Sequence, residues 1–315
     1  NTLLFVNKKD GCLYRCYVLN ESMTTPERVS STSVCLRPSN KGERLPPPQQ
    51  VAYSDVILVD PDLAVAIAEI HSEETDEPIA MIVSVDLKNN DAPLTVLHYG
   101  ADFYSNLVLA NLDSDRRLAW VEWQHPNMPW DSNTLKMASL TVAQNDCWLD
   151  SIRPLPESGS GSYCQLAFGA GAQLFAVADF VTQNVQSSRN YWNVYAVDSC
   201  SLELKQLSEQ EKEFGYPHWQ FGDCRLCTYL DRFVVGIAAD PAADSIWVYD
   251  IQTGRQQSIE SAGTLQHLSI NEQGQGAIIE MPVDGSPRIV LFSVLEDGCI
   301  LTSTNNQGDA LNSKL

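Results

Sequence analysis

Hydrophobic residues along this chain come in short bursts of strand character. LLFV, LYRCYVL, VAIAEI, MIVSVDL, RLAWVEW, LKMASL, QLFAVADF, WNVYAVD, FVVGIAA, SIWVYDI, GAIIEM and RIVLFSVL are rich in β-branched and aromatic side chains and are bounded by turn residues. Helical periodicity is nearly absent. SLELKQLSEQEKEF, residues 201–214, is the best helical candidate, and it stops at Gly215 and Pro217.

The bursts recur. Tyr53 in AYSDVILVD, Tyr104 in FYSNLVLA, Tyr163 in SYCQLAF, Tyr216 in GYPHWQF and Leu265 in LQHLSI each open a unit, and the 212 residues they span make four intervals with a mean of 53. A period near 50 with about four strands per unit is the mark of a β-propeller blade. One twisted four-stranded sheet cannot cover its own apolar faces, so blades stack and bury each other. Turn pairs Asn89-Asn90, Thr253-Gly254 and Asp297-Gly298 separate the third strand from a fourth. The fold predicted is all-β, a propeller of about six to seven four-stranded antiparallel blades. Six can be counted, at 1–45, 46–99, 100–157, 158–210, 211–260 and 261–305, with 306–315 as a linker toward a further domain. RPSNKGERLPPPQQ, residues 37–50, reads as a blade connection of extended polyproline character.

Composition refines this picture. At 315 residues the length alone suggests two domains, which the repeat replaces with one propeller. Forty acidic against 20 basic side chains leave a net charge of −20, which argues against nucleic acid and against anionic lipid. No apolar run approaches the roughly 18 residues of a membrane span. The chain begins at Asn1 with no signal peptide, as a fragment or the mature part of something longer would. Nine cysteines, odd in number and scattered, fit a reducing compartment, so the predicted location is cytoplasmic.

Between the strands lie more particular residues. DFYSNLVLANLDSDRRLAWVEWQHPNMPWDSNTLKMASL, from Asp102 to Leu140, closely resembles the propeller of the dipeptidyl aminopeptidase/acylaminoacyl peptidases of the prolyl oligopeptidase family. EFGYPHWQFGDCRLCTYLDRFVV, NYWNVYAVD and VDPDLAVAIAEIHS resemble other blades of the same domain, and the likeness runs in register along essentially the whole chain. HPNMPWD is its most specific element. The NLDSD turn is two residues longer than the family's usual turn, and Asn271-Glu272-Gln273-Gly274 replaces it in the last blade. LLFVNKKDGCLYRCYVL resembles a second blade, which implies a seven-bladed propeller lacking its first; a ring closed with six blades is the alternative.

The resemblance implies a partner, a C-terminal α/β-hydrolase domain supplying Ser, Asp and His, absent from this chain. Catalytic residues are expected to be none here, because no G-x-S-x-G elbow occurs; GSGSY at 159–163 has the wrong spacing. Neither cofactor nor metal is expected. Asn111-x-Asp113-x-Asp115 has Arg116 where a calcium loop requires Gly, and GAGAQL lacks a third glycine and any βαβ context. Cys224-Arg225-Leu226-Cys227 has no second pair for zinc; placed in a strand, its two thiols would point to opposite faces. The run Glu73-Glu74-Thr75-Asp76-Glu77 reads as a solvated acidic loop.

The candidate substrate-gating residues are Glu69, His71, Trp123, His125, Trp130 and Asp131. Two prolines stiffen the His125–Asp131 loop, and its aromatic residues offer amphipathic surface. Glu69 could hold a peptide's free amino terminus through a charge-assisted hydrogen bond. The expected function is a non-catalytic propeller that gates short peptides into a serine peptidase, the chain alone being inactive. The alternative is a stand-alone binding or scaffold propeller that recognises a protein or small ligand on its rim. Self-association into a homo-oligomer is left open.

Overall fold

The computed structural model describes residues 2–19, 22–30, 35–37, 47–111, 116–143, 146–155, 161–179, 191–198, 201–216 and 221–303. The NLDSD turn from residue 112, part of GSGSY, Cys200 and the 306–315 tail lie outside these residues. The chain divides into two compact units, Asn1–Leu155 and Pro156–Leu315.

The first unit holds three sheets. β1 (Thr2–Val6) and β2 (Leu13–Leu19) pair antiparallel, and β2 also pairs with the short β3 (Ser22–Met23) and β4 (Glu27–Arg28). The second sheet runs β5 (Leu36–Arg37), β9 (Leu94–Tyr99), β8 (Ile79–Asp86), β7 (Leu63–His71), β6 (Gln50–Asp60). β5 lies parallel to β9, so Leu36 and Arg37, expected in the first blade, join the second. The third is a meander of β10 (Phe103–Asn111), β11 (Arg116–Trp123), β12 (Thr134–Ala143) and β13 (Asp146–Pro154).

The second unit repeats the meander three times. Its sheets are β14 (Tyr163–Phe168), β15 (Leu174–Ala178), β16 (Asn193–Val197), β17 (Leu204–Gln206); then β18 (Leu226–Tyr229), β19 (Phe233–Ala238), β20 (Ser245–Asp250), β21 (Gln256–Glu260); then β22 (Gly263–Ile270), β23 (Gln275–Pro282), β24 (Arg288–Val294), β25 (Ile300–Ser303). These are the antiparallel blades that the repeat predicts, and Asn89-Asn90, Thr253-Gly254 and Asp297-Gly298 do separate third strands from fourth.

Side-chain parity explains why blades stack. Along β7, Ala64, Ala66, Ala68 and Ile70 join a core with Leu13 of β2 and with Val29, just past β4. The alternate residues Leu63, Val65 and Ile67 join another with Tyr104, Leu118 and Trp120 of the third. Both faces of one strand are therefore dry. In the second unit Phe233, Val235 and Ile237 pack toward β22–β25, while Val234 and Ala238 pack toward β14 and β15. Each fully buried Val, Leu, Ile or Phe side chain contributes roughly 1.5–3 kcal/mol.

Two expectations are corrected. Residues 201–214 form no helix: Leu204–Gln206 pair with β16, where hydrogen-bonded strand edge outweighs a helical propensity that had no apolar stripe to bury. Among the described residues a 3₁₀ turn at Ala170–Ala172 is the helical structure, and no helix is long and apolar enough to cross a membrane. Tyr216 does not open the fifth blade, whose first strand is Leu226–Tyr229. Its hairpin turns at Leu230 and Asp231, both at positive φ (50° and 53°), a conformation that carries no glycine signal in the sequence.

Candidate functional site

The HPNMPWD segment is the β11–β12 connection of the third sheet. A cis His125–Pro126 bond turns the chain out of β11. The loop then braces itself: Asn127 N donates to Gln124 O (3.0 Å), Asp131 N to Met128 O (2.9 Å) and Met128 N to Asp131 Oδ2 (3.1 Å). Asn133 Nδ2 donates to Pro129 O at 2.8 Å, and Gln124 Nε2 to Gly100 O at 2.8 Å. Asp102 anchors the stem, its Oδ2 accepting from His125 N at 2.8 Å.

Aromatic rings clad that stem. Phe103 stacks on Trp123, centroids 5.2 Å apart at 17°, because the two are register partners across β10 and β11. The His125 ring meets Phe103 edge-on at 4.9 Å. Trp123 is buried, whereas Met128 and Trp130 stand exposed at the tip (43% and 38%). Trp123, His125, Trp130 and Asp131 are thus brought into one braced loop, with Trp123 as its foundation and Asp131 as an internal tie.

Glu69 and His71 lie elsewhere, at the end of β7, opposite Ala52 and Gln50 of β6. Both are exposed, and no hydrogen bond or ion pair holds either side chain among the described residues. They occupy the place in their sheet that Trp123 and the loop occupy in the next, the exit from the second strand. Among the described residues no hydrogen bond, ion pair or ring contact joins them to the loop.

Beneath the loop lies a polar network absent from the expected set. Glu122 Oε2 is 2.8 Å from His98 Nε2 and accepts from Trp120 Nε1 at 2.8 Å, while Oε1 meets Lys136 Nζ at 2.5 Å. Burial alone would raise the Glu122 carboxyl, but hydrogen bonds from His98, Lys136 and Trp120 outweigh it and hold the group at about 2. Three protein donors already share this carboxylate, so it positions the β11 end rather than receiving a ligand. The i, i+2 spacing of Trp120 and Glu122 in AWVEW puts both on one face, the signal available in the sequence. A hollow of about 330 Å³ opens elsewhere on this sheet, lined by Arg117, Met137, Ala138, Ser139, Ser151 and Arg153, with none of the six predicted residues.

Cys224 and Cys227 are half-buried free thiols, but their expected placement on opposite faces is corrected. Cys224 precedes β18, so strand parity does not apply, and the two sulfurs lie 3.4 Å apart. Among the described residues no group of three or more His, Cys, Asp or Glu is placed to hold a metal ion.

No protein-family model matches the chain, and no curated protein matches it. Solved structures do. Puromycin hydrolase superposes with a TM-score of 0.74 at 18% identity, over 96% of this chain and 43% of that one. A puromycin-hydrolyzing peptidase of Mycobacterium tuberculosis gives 0.73 at 21% identity with the same coverage. The β-propeller domain of the trilobed protease from Pyrococcus furiosus gives 0.57 at 8% identity, over 100% of this chain and 80% of that one. The chain therefore spans less than half the length of the puromycin hydrolases it matches. Such low identities speak to architecture alone, and the architecture is the β-propeller fold.

Proposed function

We propose that this chain is the non-catalytic propeller of a serine peptidase, gating short peptides toward a C-terminal α/β-hydrolase domain. The observation that carries the proposal is the superposition on puromycin hydrolase, which uses 96% of this chain and leaves more than half of that enzyme without a counterpart. The β11–β12 loop supplies the gate: a braced backbone holds Trp130 and Met128 at fixed height, and rigid apolar surface excludes bulky substrates at little entropic cost. Glu69, exposed and without a hydrogen bond or ion pair among the described residues, is the carboxylate able to accept a peptide's ammonium group, with His71 beside it. Chemistry belongs to the partner domain; this chain positions and excludes. The described cysteines are all free thiols, which supports a reducing compartment such as the cytoplasm.

The reading frame beyond Leu315 is the first test. A G-x-S-x-G elbow followed by Asp and His supports the proposal, whereas a stop codon overturns it in favour of a stand-alone binding propeller. In the longer protein, removing residues 126–131 should extend cleavage of aminoacyl chromogenic peptides to longer substrates, and Glu69→Gln should raise KM for peptides with a free amino terminus and spare blocked ones. An unchanged length profile in the loop deletion would refute the gate.

A further inference from the structure

The segment that leads into β18 carries two sulfurs in contact, Cys224 Sγ and Cys227 Sγ at 3.4 Å. Both thiols are half-buried and free. Cys224 Sγ also lies 3.4 Å from Leu226 O, and Cys227 Sγ lies 3.7 Å from Leu268 O. The backbone around them is held from both sides. Arg225 N donates to Gln165 Oε1 at 2.7 Å, His267 N to Asp223 Oδ1 at 3.0 Å, and Leu268 N to Cys224 O at 2.8 Å. The pair therefore sits in the tie between β14 and β22, with its geometry set by neighbours on two sheets.

We infer that Cys224 and Cys227 are a redox-active dithiol that a small-molecule disulfide converts to an intramolecular disulfide. A bonded pair needs sulfurs about 2.05 Å apart, and these two start from contact distance. The two thiols are not equivalent. The hydrogen bond from Cys227 lowers the Cys224 thiol below its ordinary value, while the same bond and burial raise Cys227. Cys224 is the attacking thiolate and Cys227 the resolving thiol.

With glutathione disulfide, Cys224 sulfur attacks one glutathione sulfur. The mixed disulfide forms, the glutathione S–S bond breaks, and the first glutathione leaves with the proton that Cys224 gave up. Cys227 sulfur then attacks Cys224 sulfur, the Cys224–glutathione bond breaks, and the second glutathione leaves with the Cys227 proton. Two protein thiols lose two electrons, and one small disulfide becomes two thiols.

Trypsin cleaves after Arg225, between the two cysteines, which makes the test direct. The folded chain is incubated with glutathione disulfide, alkylated with iodoacetamide, digested and weighed. The expected result is the Cys224 and Cys227 peptides joined and parting on reduction with dithiothreitol. Separate peptides, each alkylated or each holding glutathione, would overturn the inference. Cys227→Ser, without the resolving thiol, should retain one glutathione at Cys224; no adduct there would overturn the assignment of Cys224 as attacker. Because the wild-type measurement stands alone, a variant that fails to fold does not rescue the idea.

Discussion

Each unit kinks a first strand two residues after the residue that opens it, and each fastens the kink with different chemistry. In the first unit Asp55 (φ 45°) sits in a bulge of β6 and its Oδ2 accepts from Leu107 N of the next sheet at 3.4 Å. In the second Gln165 (φ 48°) sits in a bulge of β14 and reaches the next sheet twice, accepting from Arg225 N at 2.7 Å and donating from Nε2 to Asp223 O at 2.9 Å. An amide carries a donor and an acceptor at any pH, whereas an ionised carboxylate only accepts. Burial pushes the Asp55 carboxyl up to about 6, against backbone hydrogen bonds from Leu107 and Asn106 that lower it. The same joint is thus titratable in one unit and not in the other. The two tryptophans that are fully buried among the described residues differ likewise: Trp120 Nε1 donates to the charged Glu122, Trp247 Nε1 to the neutral Gln256 at 3.0 Å.

The largest effects should come from those tryptophans. Trp120→Ala and Trp247→Ala should each cost about 3–5 kcal/mol, with Trp120→Ala the greater because it also strips a donor from a buried carboxylate. Urea denaturation measures both, and equal losses would break the contrast between a charged and a neutral acceptor. Exchanging the joint chemistry comes next. Gln165→Glu should cost about 2 kcal/mol at pH 8, since the donor to Asp223 O is lost beside the Asp223 carboxylate. Part of that loss should return at pH 5, where protonation restores a donor; a pH-independent cost would argue that the amide merely fills space.

A smaller effect lies in the pH profile of the wild-type chain. Glu122 is lowered from an ordinary 4.5 to about 2, so its stabilisation is present above 4.5 and lost as pH falls through 2. Asp55 is raised from 3.8 to about 6, so its contribution is complete below 3.8 and lost as pH rises through 6. Glu122→Gln should flatten the acid limb without moving the other. The smallest change is expected from Asp55→Asn, which should gain about 1 kcal/mol above pH 6 and make the slope between pH 4 and 6 shallower, the raised carboxyls of Asp179 and Glu213 keeping the remainder. Thermal unfolding across that range would decide it, and an unchanged slope would place the titration on those other groups.

Much of the fold is legible in the chain itself. Tyr53, Tyr104, Tyr163 and Leu265 all fall in the first strands of their sheets, because an alternating apolar burst followed by a polar turn is a local signal. The fifth opener failed at Tyr216 because the real hairpin turns on Leu230 and Asp231, whose positive φ no glycine announces. Residues 201–214 looked helical because propensity is summed along the chain, while the pairing of Leu204 with Val197 is made across it. Within the candidate site, the rigidity of the 124–133 loop could be read from Pro126 and Pro129. Its dependence on Asp102 and Phe103 could not, since both belong to the strand start more than 20 residues earlier, as the Asp102–His125 bond shows.

By itself the sequence determined strands, turns and a repeat near 53 residues, because period-two patterning and turn chemistry are written in neighbouring positions. Tertiary structure alone decided which polar groups meet. Glu122 is held low because His98, 24 residues away, crosses from the adjoining sheet. Cys224 touches Cys227 because contacts from Gln165, His267 and Leu268 keep it out of the strand that would have turned it away. Burial and partner choice set both the pKa values and the sulfur contact, and both arise only when blades are stacked.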